Sequence, residues 1–398
     1  MRTTTFRDVL LEEIAEIKSG VGFPISMQGC ESGDFPFAKV GDISNRARSG
    51  EQFISDAPNW VKNEDLSTLK FTPFPTGTIV FAKIGEAIRQ NFRAVSTRPM
   101  LFDNNVMGVI PQEERVDTTY LYFYLRTLDF YHLAGKTTVP AIRKSTIEKL
   151  KIPLPPLEEQ RRIAAILDKA DGVRRKRKEA IRLTEELLKS TFLEMFGDPV
   201  TNPKGWEIKK LEEVTTKITD GVHSRPNYTE QGVPFISVKD ITTGELKFDD
   251  CKFISEEDHK KYKKRCNPDM GDILYTKVGA TYGRPALVNV KSEFSLYVSV
   301  CLIKPQRDLI FPEFLKEALA TPALKSQADR SIKGIGVPDL HLNMIKDFIV
   351  PVPPIYKQKE FLEIASKIQF SKESLTSCSQ ESENLFNSLL QRAFRGEL

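Results

Sequence analysis

The chain has 398 residues, of which 40% are hydrophobic and 28% are charged, and its formal net charge is +4. This length allows two or three globular domains, and every apolar run is shorter than the roughly 20 residues of a membrane-spanning helix. A pI near 8.6 permits nucleic-acid binding without requiring it, because the distribution of charge matters more than its sum.

The cysteines are few and spread along the chain, and they form no C-x-x-C pair. They are Cys30, Cys251, Cys266, Cys301 and Cys378. This pattern argues against a structural zinc site and suits a reducing compartment. We therefore expect a cytoplasmic protein without a signal peptide.

The predicted elements occur in the same order twice, which indicates an internal repeat. The first copy has an opening segment at 11–17, a glycine-rich turn at 19–24, strands at 36–43 and 77–85, and a short helix at 120–127. The second copy has matching segments at 211–214, 218–228, 234–241, 271–279 and 314–321. Residues 86–94 and 280–286 differ between the copies, so the two units share a scaffold and differ in loops.

Each copy ends in a proline-rich segment that precedes a predicted long helix. Pro153, Pro155, Pro156 and Gln160 recur as Pro351, Pro353, Pro354 and Gln358. Proline cannot continue a helix, so each Pro-Pro pair ends the element before it. Glu158 and Glu159 place negative charge in the first turn of the first helix, where the helix dipole favours it.

Apolar residues at spacings of three and four predict that both long helices bury one stripe. The stripe contains Ile163, Ile166, Ala170, Val173, Ala180 and Leu187 in the first helix, and Phe361, Ala365, Ile368, Leu375, Phe386 and Leu389 in the second. Arg177, Thr184 and Lys372 interrupt it. We expect two long helices that pack on each other with polar interruptions.

The segments at 153–160, 271–274, 220–226 and 393–398, together with the duplication, resemble the specificity subunit of a type I restriction-modification enzyme. The resemblance covers nearly the whole chain. It implies an α+β protein with two mixed α/β target-recognition domains in tandem, each followed by a long helix, the two helices packed as an antiparallel coiled coil. The implied domains are 1–153 and 198–351, with long helices at 154–197 and 352–398. The sequence departs from the family pattern at 355–357, where Ile-Tyr-Lys replaces Leu-Glu-Glu.

The same resemblance implies a function and a set of partners. Each recognition domain is expected to read one half of a bipartite double-stranded DNA site, and the helix pair to set the spacer between the halves. Two modification subunits, which are adenine methyltransferases, are expected to dock on the exposed helix faces, and restriction subunits to supply ATP-driven cleavage. S-adenosylmethionine, ATP and Mg are expected on those partners, with no cofactor in this chain.

The sequence itself lacks the motifs of catalysis. Adenine methyltransferases need a loop of the type Asn/Asp-Pro-Pro-Tyr/Phe, and the nearest strings, at 154–157 and 352–355, lack the polar first residue and the aromatic last one. Gly135-Lys-Thr ends like a phosphate-binding loop, but Phe130 stands in place of its first glycine. His132, His223, His259 and His341 have no metal-ligand spacing. We predict a non-catalytic chain without a metal site.

Candidate DNA contacts are polar and basic residues in the turns that differ between copies, since such side chains bind phosphates and base edges. They are Lys39, Lys83, Arg89, Gln90, Asn91 and Lys136 in the first unit, and His223, Arg225, Lys239, Lys277, Tyr282, Arg284 and Lys333 in the second. The alternative for each is a solvated surface residue. The basic run at 174–178 could also follow the DNA backbone across the spacer, and its alternative is a solvated helix face. The basic run at 260–265 could line the second recognition domain. The aromatic residues Tyr120, Tyr122, Phe123 and Tyr124 are predicted to lie in the core.

Two other classes of function remain open from the residues alone. One is an interaction scaffold that holds two globular modules apart on a coiled coil and has no DNA role. The other is a nuclease or methyltransferase acting alone, which requires a cofactor or metal loop that the sequence lacks.

Overall fold

The computed structural model describes residues 6–135, 138–332 and 338–398. The chain divides into two compact units, one formed by Met1–Ile181 and Ser374–Leu398 and the other by Arg182–Glu373. Each unit has its own hydrophobic cores. Among the described residues, no helix is long and apolar enough to cross a membrane.

The first unit contains strands β1 to β10 and helices α1 to α5, followed by the long helix α6. The strands are β1 (Arg7–Leu10), β2 (Ala15–Ser19), β3 (Phe35–Ala38), β4 (Phe53–Ile54), β5 (Asn59–Val61), β6 (Ile79–Ala82), β7 (Arg93–Ser96), β8 (Leu101–Phe102), β9 (Val106–Pro111) and β10 (Lys151–Leu154). The helices are α1 (Val40–Arg48), α2 (Leu66–Leu69), α3 (Thr118–Thr127), α4 (Phe130–Leu133), α5 (Lys144–Glu148) and α6 (Leu157–Phe196). Short 3-10 turns lie at Leu11–Glu13, Ile25–Met27, Asn63–Asp65 and Glu86–Gln90.

The main sheet of the first unit has the strand order β2-β9-β6-β7-β4, and a smaller sheet has the order β5-β3-β8. Pairing in the main sheet is antiparallel except between β4 and β7. Because side chains alternate along a strand, Ile79 and Phe81 of β6 pack in the core that contains α3, whereas Val80 packs in a second core with Ile43 of α1. Both faces of this sheet are therefore covered.

The second unit repeats this plan. Its strands are β11 (Ile208–Lys210), β12 (Thr215–Asp220), β13 (Val233–Ile236), β14 (Lys252–Ile254), β15 (Ile273–Thr276), β16 (Pro285–Leu287), β17 (Ser295–Leu296), β18 (Val300–Pro305) and β19 (Ile349–Pro351). Its helices are α7 (Glu256–Lys263), α8 (Pro312–Leu319), α9 (Pro322–Ser331) and α10 (Leu342–Lys346), followed by the long helix α11 (Ile355–Phe394). The 3-10 turns are Leu211–Val214 and Val238–Asp240. The sheets have the orders β12-β18-β15-β16 and β14-β13-β17.

In each unit, the first strand pairs with the strand that leads into a long helix. Strand β1 is antiparallel to β10, with Val9 opposite Ile152, and β11 is antiparallel to β19, with Lys209 opposite Val350. The predicted repeat thus describes the local fold of both units. The long helices lie within the ranges predicted for them, and the four-part domain division by residue number stays a prediction.

One predicted strand is wrong in its second half. The run 36–43 continues as a strand only to Ala38 and then becomes helix α1, and the matching run becomes the 3-10 turn Val238–Asp240. The side chain of Asp42 accepts a hydrogen bond from the Lys39 backbone N–H at 2.7 Å, and Asp240 does the same for Ser237 at 2.8 Å. These capping contacts start a helical turn where apolar alternation predicted extended chain.

Within each unit, one half of α6 contacts the opposite half of α11. In the first unit, Arg174 donates to Glu383 at 3.0 Å. In the second unit, Lys372 lies 2.9 Å from Glu185, and the ring centroids of Phe192 and Phe361 are 5.5 Å apart.

Two residues of the predicted apolar stripe are exposed, and that part of the prediction is wrong. Val173 is 43% exposed and Leu187 is 52% exposed. The side of α6 that faces the first unit instead passes through Leu167 and Asp171, which are 0% and 1% exposed. The helix therefore uses a buried charge at a position where a heptad pattern favours an apolar residue.

Candidate nucleic-acid interface

A Lys-x-Gly turn follows an inner strand of the main sheet in both units, β6 in the first and β15 in the second. In the first unit, Lys83 donates its backbone N–H to Asn105 at 2.8 Å and accepts from Ile142 at 2.8 Å, and Gly85 donates to Pro140. Gly85 has a φ of 82°, a conformation that favours glycine. The Nζ of Lys83 donates to the Oγ of Ser19 at 3.0 Å.

The second unit has the same backbone arrangement around Lys277. Its N–H donates to Ser299 at 3.0 Å, its carbonyl accepts from Leu340 at 2.8 Å, and Gly279 donates to Pro338. The side chain differs, because Lys277 is only 4% exposed. Its Nζ lies 3.5 Å from carboxylate oxygens of both Asp220 and Asp339.

A second turn lies next to each lysine and requires glycine for steric reasons. A Cβ on Gly20 would lie 2.0 Å from the carbonyl oxygen of Asp103, and a Cβ on Gly221 would lie 2.0 Å from that of Leu296. Both glycines directly follow the strand residue whose side chain meets the lysine. The glycine-rich turns of the sequence are thus sites where two backbone segments approach closely.

The carboxylate of Asp220 is the centre of a polar cluster in the second unit. It is 2% exposed and accepts from the Nη2 of Arg265 at 2.6 Å. The Nε2 of His223 lies 3.1 Å from the same oxygen and 3.2 Å from Nη2. The side chains of Arg265 and His223 are 56% and 59% exposed, so the cluster reaches the surface.

The other candidates of the first unit take part in local contacts. Arg89 pairs with Glu86 at 2.7 Å, contacts the hydroxyl of Tyr131 and stacks on its ring. Lys39, Gln90 and Asn91 have partners as well: the Nζ of Lys39 donates to Gln28, Gln90 accepts from Arg48, and the amide of Asn91 bonds Leu128 and Phe130. Asn91 has a φ of 54°, so it holds a turn in place.

The remaining candidates of the second unit include one without a partner. Lys239 pairs with Asp250 at 2.7 Å, Tyr282 donates to Asp329, and Arg284 donates to the Thr242 carbonyl at 2.6 Å. Arg225 is exposed, and within the part of the chain that the structure describes it has no hydrogen-bond or ion-pair partner. Lys136 and Lys333 lie outside the described residues.

The basic run at 174–178 is largely engaged in contacts within the first unit. Arg174 bonds Asp171 and Glu383, Arg175 bonds Asp171 at 3.0 Å, and Lys178 lies 3.2 Å from Glu383. Arg177 donates to the Cys378 carbonyl and the Ser382 hydroxyl. These partners show that the run packs against α11. The sequence had suggested two other roles, contact with the DNA backbone and a solvated helix face.

Asp171 is the residue that organises this basic run. It is 1% exposed and also pairs with Arg126 of α3 at 3.2 Å. Burial acts to raise the pKa of its carboxyl, but the charges of Arg126 and Arg174 outweigh burial and hold that pKa below its usual range. The ion pair between Asp171 and Arg126 therefore joins α6 to α3.

The second basic run, at 260–265, spans the last turns of α7 and the residues after it. Lys263 pairs with Glu293 and Arg265 with Asp220, whereas Lys260, Lys261 and Lys264 are exposed. This run therefore contributes surface charge beside the polar cluster around Asp220.

The aromatic residues predicted for the core are found there. Tyr120, Tyr122 and Phe123 are 0% to 4% exposed, and Tyr124 packs against the same core. The residues that sequence analysis missed are Ser19, Asp220 and Asp339, which contact the two lysines. Alignment of Lys83 with Lys277 was visible in the sequence, but their partners come from distant segments.

No cluster of three or more His, Cys, Asp or Glu side chains that could hold a metal occurs in 6–135, 138–332 and 338–398. Burial raises the pKa of the Cys266 thiol to about 12, and burial also raises the pKa of Cys301. Thiols with raised pKa values are poor nucleophiles at neutral pH.

Comparison with known proteins gives one consistent family. The model of the type I restriction modification DNA specificity domain matches residues 4–183 and 203–377. The specificity subunit of the type I restriction enzyme EcoBI from Escherichia coli is 24% identical over 428 residues, covering 98% of this chain and 85% of that protein. The MjaIX specificity subunit from Methanocaldococcus jannaschii is also 24% identical, covering 86% and 82%.

Solved structures share the fold. The S subunit of a type I restriction-modification system from M. genitalium superposes with a TM-score of 0.57 at 14% identity, covering 99% of this chain and 97% of that one. A chain from a structure of type I restriction-modification complex assembly and conformational transition gives a TM-score of 0.54 at 20% identity, with both chains fully covered.

Proposed function

Because the chain belongs to the type I restriction-modification DNA specificity family, we propose that it is a non-catalytic subunit that gives such a complex its DNA sequence specificity. The observation that carries this proposal is the pair of equivalent lysine turns. Lys83 and Lys277 have the same backbone contacts, but one meets a hydroxyl and the other meets two carboxylates. A common scaffold that presents different side chains is suited to reading two different DNA sequences.

Each unit is proposed to read one half of a bipartite double-stranded DNA site. The turn residues 83–91 in the first unit and the surface around His223, Arg225 and Arg265 in the second are the proposed contact regions. The exposure of the three second-unit side chains supports this assignment, since base and phosphate contacts need accessible donors. Lys39, Lys239, Tyr282 and Arg284 remain candidates whose present partners would have to be exchanged for DNA.

The two long helices are proposed to form an antiparallel coiled coil that sets the spacer between the half-sites. Each helix has 40 residues, which corresponds to about 60 Å at about 1.5 Å per residue. Contacts between opposite halves of the helices, such as Arg174 with Glu383 and Glu185 with Lys372, support the antiparallel arrangement.

Partner subunits are proposed to supply the chemistry. Two adenine methyltransferase subunits would dock on exposed faces of the long helices, and restriction subunits would join that assembly. S-adenosylmethionine, ATP and Mg are proposed to bind those partners. This chain would contribute the choice of site and the spacing.

The test is N6-methyladenine mapping of host DNA after expression of this chain with its cognate modification subunit. The control is the modification subunit expressed alone. We expect methylation at a two-part site with a fixed gap only when this chain is present. A stable complex that methylates no such site would contradict the proposal and leave an interaction scaffold as the better interpretation.

A further inference from the structure

We infer that Arg265, held by the buried carboxylate of Asp220, reads a guanine in the half-site recognised by the second unit, and that Lys277 positions Asp220 without contacting DNA. This inference rests on the proposed function and adds to it a base-reading residue. Arg265 lies outside the divergent turns that first indicated DNA contacts.

The starting observation is the burial of Asp220 at the end of β12. An ionised carboxylate that is 2% exposed needs cationic or hydrogen-bonding partners, because burying an unpaired charge is costly. The partners of Asp220 are Arg265 at 2.6 Å and Lys277 at 3.5 Å. One is at the surface and the other is inside.

Lys277 cannot serve as a phosphate contact in this arrangement. It is 4% exposed, and its charge is shared between Asp220 and Asp339. A lysine that neutralises DNA must reach a phosphate, which a buried lysine does not. In addition, the carboxylates of Asp220 and Asp339 offset the charge of Lys277. Its role is to hold the Asp220 carboxylate on the buried side, while Arg265 contacts the same carboxylate on the exposed side.

Arg265 has the opposite properties. Its side chain is 56% exposed, and its Nη2 is fixed by Asp220. Within the described ranges, its Nε and Nη1 have no hydrogen-bond partner. The guanidinium is therefore held at one end and open at the other, which leaves donors directed to a ligand outside the protein.

Guanine is the base that matches this group. It presents two adjacent acceptors, O6 and N7, in the major groove, and arginine donors pair with them more often than with other bases. Holding the planar guanidinium in place before binding reduces the rotamer entropy lost on contact. His223, whose Nε2 lies 3.2 Å from Nη2, occupies a position at the edge of the guanidinium that a base could take over.

The described part of the first unit has a different pair of side chains at the matching place. Ser19 occupies the place of Asp220 at the end of β2, and Lys83 donates to its hydroxyl at 3.0 Å. A hydroxyl does not neutralise the lysine, so Lys83 keeps its charge for DNA. The two units thus present different side chains to DNA at this place. The first unit presents Lys83, and the second presents Arg265 held by Asp220.

The experiment maps N6-methyladenine with the full chain and its modification subunit, using wild type, Arg265→Ala and Arg265→Lys. We expect Arg265→Ala to lose guanine preference at one position of one half-site, by about 10- to 100-fold, and Arg265→Lys to weaken it less, while the other half-site stays unchanged. Arg265→Lys retains the charge, so complex formation and overall methylation should persist. The control is Lys291→Ala, an exposed lysine of the second unit that is not among the proposed DNA contacts, which should leave both half-sites unchanged.

The variant Asp220→Asn tests whether Asp220 positions Arg265 or only stabilises the fold of the second unit. As a positioning residue, Asp220 should affect the base preference at the same position as Arg265, whereas a purely structural role would lower methylation at all sites without changing their sequence. If Arg265→Ala keeps the wild-type consensus at every position, the inference is overturned while the proposed function stands. If the wild-type chain specifies no two-part site, the proposed function itself fails.

Discussion

Gln160 and Gln358 make the same three hydrogen bonds in their respective units. Gln160 accepts from the Asp117 N–H at 2.9 Å and donates to the carbonyls of Arg115 and Pro155. Gln358 accepts from the Phe311 N–H at 2.9 Å and donates to the carbonyls of Leu309 and Pro353. Both side chains are fully or almost fully buried, so each glutamine joins the start of a long helix to the loop before a domain helix.

Replacing either glutamine with alanine should loosen the unit that contains it. Gln160→Ala leaves a buried N–H and two carbonyls without partners, which should cost about 2 kcal/mol in the free energy of unfolding. Hydrogen exchange followed by mass spectrometry should show faster exchange around Asp117 in Gln160→Ala and around Phe311 in Gln358→Ala. The control is Gln380→Ala, an exposed position on α11, where no change is expected. Equal exchange in all three variants would contradict this anchoring role.

Asp171→Asn should destabilise the first unit by about 3 kcal/mol at neutral pH, because it leaves three arginines around a buried site without their shared carboxylate. The measurement is urea denaturation, with Asp168→Asn as control, since Asp168 is 51% exposed and lies 3.8 Å from Arg175. The control should change the free energy of unfolding by less than about 0.5 kcal/mol.

The same variant should show a pH dependence with a defined sign. The pKa of Asp171 is lower in the folded chain than its usual value, so its contribution to stability is fully present above the unfolded pKa of about 3.9. That contribution is lost as pH falls through the folded pKa. The difference in stability between wild type and Asp171→Asn should therefore be constant from about pH 8 to pH 5 and shrink below about pH 4. A difference that grows on acidification would contradict the assigned pKa shift.

Alanine variants of Lys83 and Lys277, which have equivalent positions in the two units, should affect DNA binding differently. Lys83→Ala should reduce the slope of log binding constant against log salt concentration by about one unit, because one phosphate contact is removed. Lys277→Ala should leave that slope unchanged and lower the stability of the second unit, because Asp220 and Asp339 lose their shared cation. Binding of a DNA duplex that contains the mapped site, measured over a series of salt concentrations, distinguishes the two. An unchanged slope for Lys83→Ala would remove it from the DNA surface.

The repeat and the long helices were predictable because they depend on local sequence. Proline placement fixes where the helices α6 and α11 begin, and the apolar runs that form β6 and β15 are bounded by glycine on both sides. The turn of α1 was missed because a single capping residue, Asp42, outweighed the alternating pattern before it.

The candidate site was less predictable because its environment comes from segments far apart in the chain. Lys83 and Lys277 have the same local sequence pattern, yet Lys277 is buried and pairs with Asp220 and Asp339, which lie in other segments. The basic run at 174–178 gave no sign that its partners, Glu383 and Ser382, lie about 200 residues later. Charge alone could not distinguish a DNA contact from a helix contact.

The spacing role of the long helices gives a prediction that does not depend on any single contact. Inserting one heptad into each helix, near residue 181 in α6 and near residue 374 in α11, adds about 10 Å to each helix and keeps the apolar register. We expect N6-methyladenine mapping to find both half-sites unchanged and the gap between them longer by about three base pairs, since B-DNA rises about 3.4 Å per pair. An insertion in α6 alone is the control and should disturb the pairing of the helices, because opposite halves no longer match. If the matched insertions change a half-site sequence and leave the gap as it was, then recognition and spacing are not divided between the units and the helices in the way proposed.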